Sequence, residues 1–258
     1  MEGILTMEKI FLRCLLFIVF IFCYVSVSSG LETSKLIGQH VYTIKGKVPK
    51  SINRKYLLFL PENYGKEDKR WPLILYLHGA SVRGDNINRI KKYGLPWKVE
   101  QEKDFPFIVV SPQCPRGKFW MDTDALIKLL NEVTSEYNVD TDRIYVSGVS
   151  MGGQGAWYLA AQYPERFAAV ATMCGRADPD WATSLKDIPV WVFHGENDRK
   201  CPIRYSENMV KALEACGGIV KFTVYPKAGH NIVTETYDNN ELYDWLLQHR
   251  RQVNHNNQ

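Results

Sequence analysis

The chain has 258 residues, 45% hydrophobic and 23% charged, with 32 Lys and Arg against 28 Asp and Glu for a formal net charge of +4. That is enough apolar chain to fill one large core, which excludes a disordered polymer or a small fold held by disulfides alone. The basic residues are scattered and no basic helix interleaved with aromatics occurs, so no nucleic-acid partner is expected.

In chain order the first feature is a leader. Lys9 and Arg13 precede an unbroken apolar run from Leu15 to Val25, and the small residues Ser26, Ser28, Ser29 and Gly30 follow. This pattern reads as a secretory signal peptide over residues 1–30, leaving residues 31–258 as a single folded domain. The run is roughly a dozen residues, short of the ~20 that cross a bilayer, so no integral span is expected once it is removed. The expected location is secreted or periplasmic. Cys14 and Cys23 fall in this segment, and Cys114, Cys174, Cys201 and Cys216 lie beyond it. Their pairing is left open, and Cys216 shares a helical face with Met209 and Leu213, as a buried small hydrophobe does. No C-x-x-C or clustered His and Cys spacing points to a metal.

Residues 40–60 read as an antiparallel pair that ends in Tyr56 to Leu60 and is closed by Pro61. Continuous apolar strands follow at Leu73 to Leu77 and Phe107 to Val110, the kind buried in the middle of a parallel sheet. An amphipathic helix carries Leu126, Leu129, Leu130, Val133 and Tyr137 on one stripe, with Asp122 or Thr123 as its cap. Arg143 to Ser147 alternates as a strand, and Ala156 to Tyr163 is helical until Pro164 stops it. Strands at Phe167 to Met173, Val190 to Phe193 and Lys221 to Tyr225 and a helix at Glu241 to Arg250 complete the reading. Strands alternating with helices predict an α/β fold with a mostly parallel central sheet and helices on both faces. The segment from Gly175 to Ile188 is too short for a large lid domain, so the site should be open.

Ser150 lies in Gly148-Val149-Ser150-Met151-Gly152, between the strand at Arg143 to Ser147 and the following helix. The G-x-S-x-G pattern alone arises by chance in roughly one chain in ten of this length. Its position at a strand-to-helix turn makes it a nucleophile's setting, because a strained turn there pushes the hydroxyl out over the sheet edge. A serine hydroxyl needs an imidazole to take its proton and a carboxylate to hold that imidazole in the right tautomer. Asp198 follows the Val190 to Phe193 strand and His230 follows the Lys221 to Tyr225 strand, so the order is Ser, Asp, His, each in a loop after a strand. In a parallel sheet those loops open at one edge. Glu196 is the alternative acid, and His194, at a strand end, is expected to pack or to bond the backbone.

Acyl transfer also needs two N–H groups aimed at the oxyanion. Met151, next to the serine, offers one. The loop His78-Gly79-Ala80-Ser81 offers the other, from Ala80 first and Ser81 second. Phe119 and Trp120 follow a loop rich in Pro and Gly at the same edge, where they either wall a substrate ring or, for Trp120, pack beneath the loop. Trp120 and Gln154 are the candidate substrate contacts. Arg83 reads as a residue that stitches its loop.

With Leu77-His78-Gly79-Ala80, Arg83-Gly84-Asp85-Asn86, Ser111-Pro112-Gln113-Cys114, Asp142-Arg143-Ile144-Tyr145, Gly148 to Gly153, His194-Gly195 and Gly229-His230-Asn231, the chain resembles the secreted α/β-hydrolase esterases. The group it is similar to contains feruloyl and acetylxylan esterases, polyhydroxybutyrate depolymerases and predicted peptidases, and the likeness covers about residues 40 to 250. Ile232-Val233 departs from that group, which often has an aromatic after the His-Asn pair. The resemblance implies an α/β-hydrolase fold and a serine hydrolase that cleaves carboxylic esters through an acyl-enzyme on Ser150. Its expected substrate is a small-molecule or polysaccharide-linked ester, and no cofactor is implied. A prolyl-oligopeptidase-type serine peptidase and an acyltransferase with the same triad remain the alternatives, and the oligomeric state is open.

Overall fold

The computed structural model describes residues 37–66 and 68–251. The expected signal peptide and its two cysteines lie outside these residues. Eight strands form one sheet: β1 (Gly38–Thr43), β2 (Lys55–Leu60), β3 (Trp71–Leu77), β4 (Ile108–Pro112), β5 (Val139–Val149), β6 (Ala169–Met173), β7 (Val190–Gly195) and β8 (Val220–Tyr225). They are ordered β1-β2-β4-β3-β5-β6-β7-β8. The β1-β2 and β2-β4 pairs are antiparallel, and every pair from β4 to β8 is parallel.

Alternation along the strands builds two cores. On β3, Leu73, Leu75 and Leu77 enter one apolar cluster, while Ile74 and Tyr76 enter the other. The first is covered by α2 (Thr123–Glu136), α3 (Met151–Gln162) and α5 (Arg204–Ala215), through Leu126, Leu130, Trp157, Leu159, Met209 and Leu213. The second is covered by α1 (Gly94–Gln101), α6 (Val233–Asp238) and α7 (Asn240–Gln248), through Leu95, Val99, Tyr237 and Leu246. Both faces of the central strands are therefore covered. The period of two sends neighbouring apolar residues to opposite sides, so a strand covered on both faces reads as a continuous run.

Between β6 and β7 the chain makes a single turn at Pro179–Trp181 and the four-residue α4 (Ala182–Leu185), too little to cap the sheet edge. Asp122 caps α2 by accepting from the Ala125 N–H at 3.1 Å. The helix after Ser150 begins at Met151 rather than near Ala156, because Gly152, Gly153 and Gly155 are helical. They are glycines for want of space. A methyl group on Gly152 would overlap the Leu77 carbonyl oxygen, and one on Gly155 would overlap Trp120. Among the described residues, no helix is long and apolar enough to cross a membrane.

Candidate active site

The C-terminal ends of the parallel strands share one edge of the sheet, and β5, β7 and β8 each deliver a polar residue to it. Ser150 stands between β5 and α3 with φ 56° and ψ −116°, a conformation that L residues rarely adopt. Its amide donates to the Met173 carbonyl at 2.7 Å, and its carbonyl accepts from the Gln154 amide at 2.9 Å. The turn needs glycines. A methyl group on Gly148 would overlap the Gly152 carbonyl across it.

His230 follows β8 and places Nε2 2.9 Å from Ser150 Oγ, while its Nδ1 lies 2.6 Å from Asp198 Oδ2. The Asp198 side chain has no solvent exposure and that of His230 has 20%. Because a carboxylate only accepts, Nδ1 carries the proton and Nε2 presents its lone pair to the serine hydroxyl. Asp198 Oδ1 accepts from the amides of Lys200 at 2.8 Å and Cys201 at 2.9 Å. Burial alone would raise the Asp198 pKa, but the Cys201 amide and His230 hold it below the usual carboxylate value. It stays ionised. Glu196, the alternative acid, instead accepts from the Lys227 amide at 2.9 Å.

The loop after β3 runs directly past the serine, since a Cβ built on Gly79 would lie 3.8 Å from the Ser150 Cβ. Ala80 opens a short 3-10 turn, Ala80–Val82, so its amide is one of the unpaired donors that begin such a turn. Met151 is the first residue of α3, and its amide is likewise a leading donor. Beneath the loop His78 is fully buried. Its Nε2 accepts from the Cys114 amide at 3.0 Å, so its Nδ1–H donates to the Gly79 carbonyl at 2.7 Å. Burial pushes its pKa down to about 4.

Of the two readings open for Trp120, substrate wall or support beneath the loop, its placement fits the second. It is 2% exposed, and its indole N–H donates to the His78 carbonyl at 2.9 Å. The ring packs edge-on against His78, so it supports the loop from below. Its chain neighbours point the other way. Phe119 and Met121 are 55% and 44% exposed and line a groove of about 490 Å³ together with Ser51, Lys118, Asp122 and Asp124. Arg83 donates to the carbonyls of Ala80 and Lys118 and lies over the Phe119 ring, so it stitches the loop as its sequence position implied. Gln154 is half-buried one turn into α3.

His194 is buried at the end of β7. It does bond the backbone, with Nε2 2.7 Å from the Cys201 carbonyl, but Nε2 also lies 3.3 Å from Asp198 Oδ2. That second contact escaped the sequence reading, because a turn between residues four apart creates it. Cys174 Sγ joins His194 and Asp198 within 4.8 Å. Burial pushes its thiol up to about 12, which keeps it protonated. Cys114, Cys174, Cys201 and Cys216 are all free thiols.

The model of the dienelactone hydrolase family matches residues 38–244. A bifunctional acetylxylan esterase/xylanase of Neocallimastix patriciarum is 26% identical over 64% of this chain and 24% of its own length. A probable acetylxylan esterase A of Neosartorya fischeri is 28% identical over 48% of this chain and 35% of its own. The chain thus spans about a quarter to a third of these curated relatives. Among solved structures, a thermostable esterase superposes with a TM-score of 0.71 and 32% identity, over 83% of this chain and 63% of that one.

Proposed function

The chain belongs to the dienelactone hydrolase family, and from that premise we propose that it is a secreted serine hydrolase that cleaves carboxylic esters through an acyl-enzyme on Ser150. His230 Nε2 takes the hydroxyl proton as Oγ attacks the ester carbonyl, and the amides of Met151 and Ala80 receive the oxyanion. The tetrahedral adduct collapses, the alcohol leaves with the proton from His230, and water repeats the sequence on the acyl-enzyme. Asp198 remains a carboxylate throughout and stabilises the imidazolium.

One observation carries this reading: the unbroken chain Asp198 Oδ2, His230 Nδ1, His230 Nε2, Ser150 Oγ, at 2.6 Å and 2.9 Å, ending on a serine held at φ 56°. The substrate class we propose is a short acyl or aromatic ester carried on plant polysaccharide. Two supports are the acetylxylan esterases among the relatives and the open edge with its exposed Phe119. Export rests on the sequence of residues 1–30. The test is hydrolysis of acetylated xylan, methyl ferulate, p-nitrophenyl acetate and a peptide anilide by the purified protein. Turnover of the esters with none of the anilide supports the reading, and preference for the anilide overturns it in favour of a peptidase.

A further inference from the structure

The Asp198 carboxylate faces two imidazoles. His230 Nδ1 approaches Oδ2 at 2.6 Å, and His194 Nε2 approaches the same oxygen at 3.3 Å. Hydrogen-bond chemistry fixes where the His194 proton lies. Nε2 is surrounded by acceptors, the Cys201 carbonyl at 2.7 Å and Asp198 Oδ2, so it must carry the hydrogen. Nδ1 lies 2.7 Å from Ser206 Oγ, the first hydroxyl of α5 to face inward, and therefore accepts the hydroxyl proton. With the proton on Nδ1 instead, two acceptors would confront a bare lone pair. Both His194 and Ser206 are fully buried, so water cannot repair such an error.

The arrangement clamps the acid's turn from both sides. The Cys201 amide donates to Asp198 Oδ1, and the Cys201 carbonyl is held by His194. We propose that His194, oriented by Ser206, is a positioning residue for Asp198: its Nε2–H, bonded to the Cys201 carbonyl, fixes the turn that carries the carboxylate and, 3.3 Å from Oδ2, sets its dipole against part of the charge that faces His230. The groups that face His194 are Asp198 and Cys201 from the turn after β7, Ser206 from α5, Cys174 from the end of β6 and His230 from the loop after β8. The Cys174 thiol is neutral and is itself within reach of Asp198, so the charges in play are those of Asp198 and of His230 when it takes a proton. Burial lowers the His194 pKa and keeps that ring an uncharged donor.

This inference rests on the triad reading above and adds a consequence of its own. Without that N–H dipole beside it, the Asp198 charge acts undiminished on the His230 ring. His194→Leu should lower kcat on p-nitrophenyl acetate about tenfold, leave KM within about twofold, and move the acid limb of the kcat profile upward by about half a pH unit. His194→Gln can place an amide N–H near the Nε2 position, and should return the limb and most of kcat. A merely structural role would lower kcat or the melting temperature and leave the limb in place.

A second measurement needs no variant. Ring-nitrogen NMR of the wild-type protein at neutral pH should find His194 uncharged with its proton on Nε2. A proton on Nδ1, a doubly protonated ring, an acid limb that His194→Leu leaves unmoved, or a Gln variant no better than Leu would each overturn the inference. The triad reading fails separately, if Ser150→Ala keeps its activity.

Discussion

On one side of Ser150 the loops after β7 and β8 are exposed along much of their length but hold the Asp198 carboxylate fully buried, with both of its oxygens occupied by hydrogen bonds. On the other side the loop after β4 is tied at its base by buried Gln113, Cys114 and Trp120 and turns Phe119 and Met121 out at 55% and 44% exposure. The same sheet edge thus carries two kinds of construction. A buried polar network costs a great deal when half satisfied, so its members specify one another and tolerate little change. A loop whose buried base is fixed can change its exposed outer residues freely, which suits a surface that selects substrate. The chemistry and the selectivity should therefore respond to mutation in different currencies.

The largest expected effect lies on the buried side. Ser150→Ala should cut kcat on p-nitrophenyl acetate by roughly 10⁶-fold, as loss of a triad nucleophile does, with the melting temperature little changed because alanine keeps the same Cβ at the same backbone angles. Gly152→Ala should instead strike stability, by about 3 kcal/mol or more in chemical denaturation, because the added methyl overlaps the Leu77 carbonyl and backbone cannot swing aside. If that variant unfolds at the wild-type denaturant midpoint, the close approach of α3 to β3 is not as described.

Acid should weaken the buried support beneath the loops after β3 and β4. His78 is pushed down to about 4 by burial, so between that value and the ordinary imidazole value of about 6.5 the unfolded chain binds a proton that the folded chain refuses. Stability is therefore full above that window and falls as pH drops through it, by about 3 kcal/mol in all. His78→Gln should flatten the curve of denaturation midpoint against pH. An equal acid loss in that variant would place the effect elsewhere. Trp120→Phe should cost about 1 kcal/mol, because it leaves the buried His78 carbonyl without its indole donor.

The smallest effect on stability belongs to the open side. Phe119→Ala should stay within about 0.5 kcal/mol of the wild type in denaturation. It should raise KM several-fold on acetylated xylan and leave p-nitrophenyl acetate untouched. Equal loss on both substrates would erase the distinction between the two halves of the edge.

The two constructions were unequally legible in the sequence. Ser150, Asp198 and His230 each stand just after a strand of clear pattern, so chain order and sheet geometry were enough to expect them together, and the structure does bring them together. His194 was read as a residue that bonds the backbone, and its bond to Cys201 fits that reading. Its approach to Asp198 depends on the fold of a tight turn, for which residue type carries no signal. Trp120 was ambiguous because an aromatic in an irregular loop has no periodicity to say which way it points; only the packing against His78 and Gly155 decides it. The helix at Gly94–Gln101 was hidden for a similar reason. It starts on a glycine, contains Pro96 and exposes Trp97, so no apolar stripe marks it, although Leu95 and Val99 are fully buried.

The account turns on whether Ser150 carries the acyl group. Acid-quenched protein taken during turnover of p-nitrophenyl acetate can be digested and its peptides weighed. The account predicts one acetyl group per chain, on the peptide containing Ser150, absent in Ser150→Ala and accumulating more slowly in His230→Ala. Turnover with no acetylated Ser150, or an acetyl group lodged on another residue while activity persists, would contradict it.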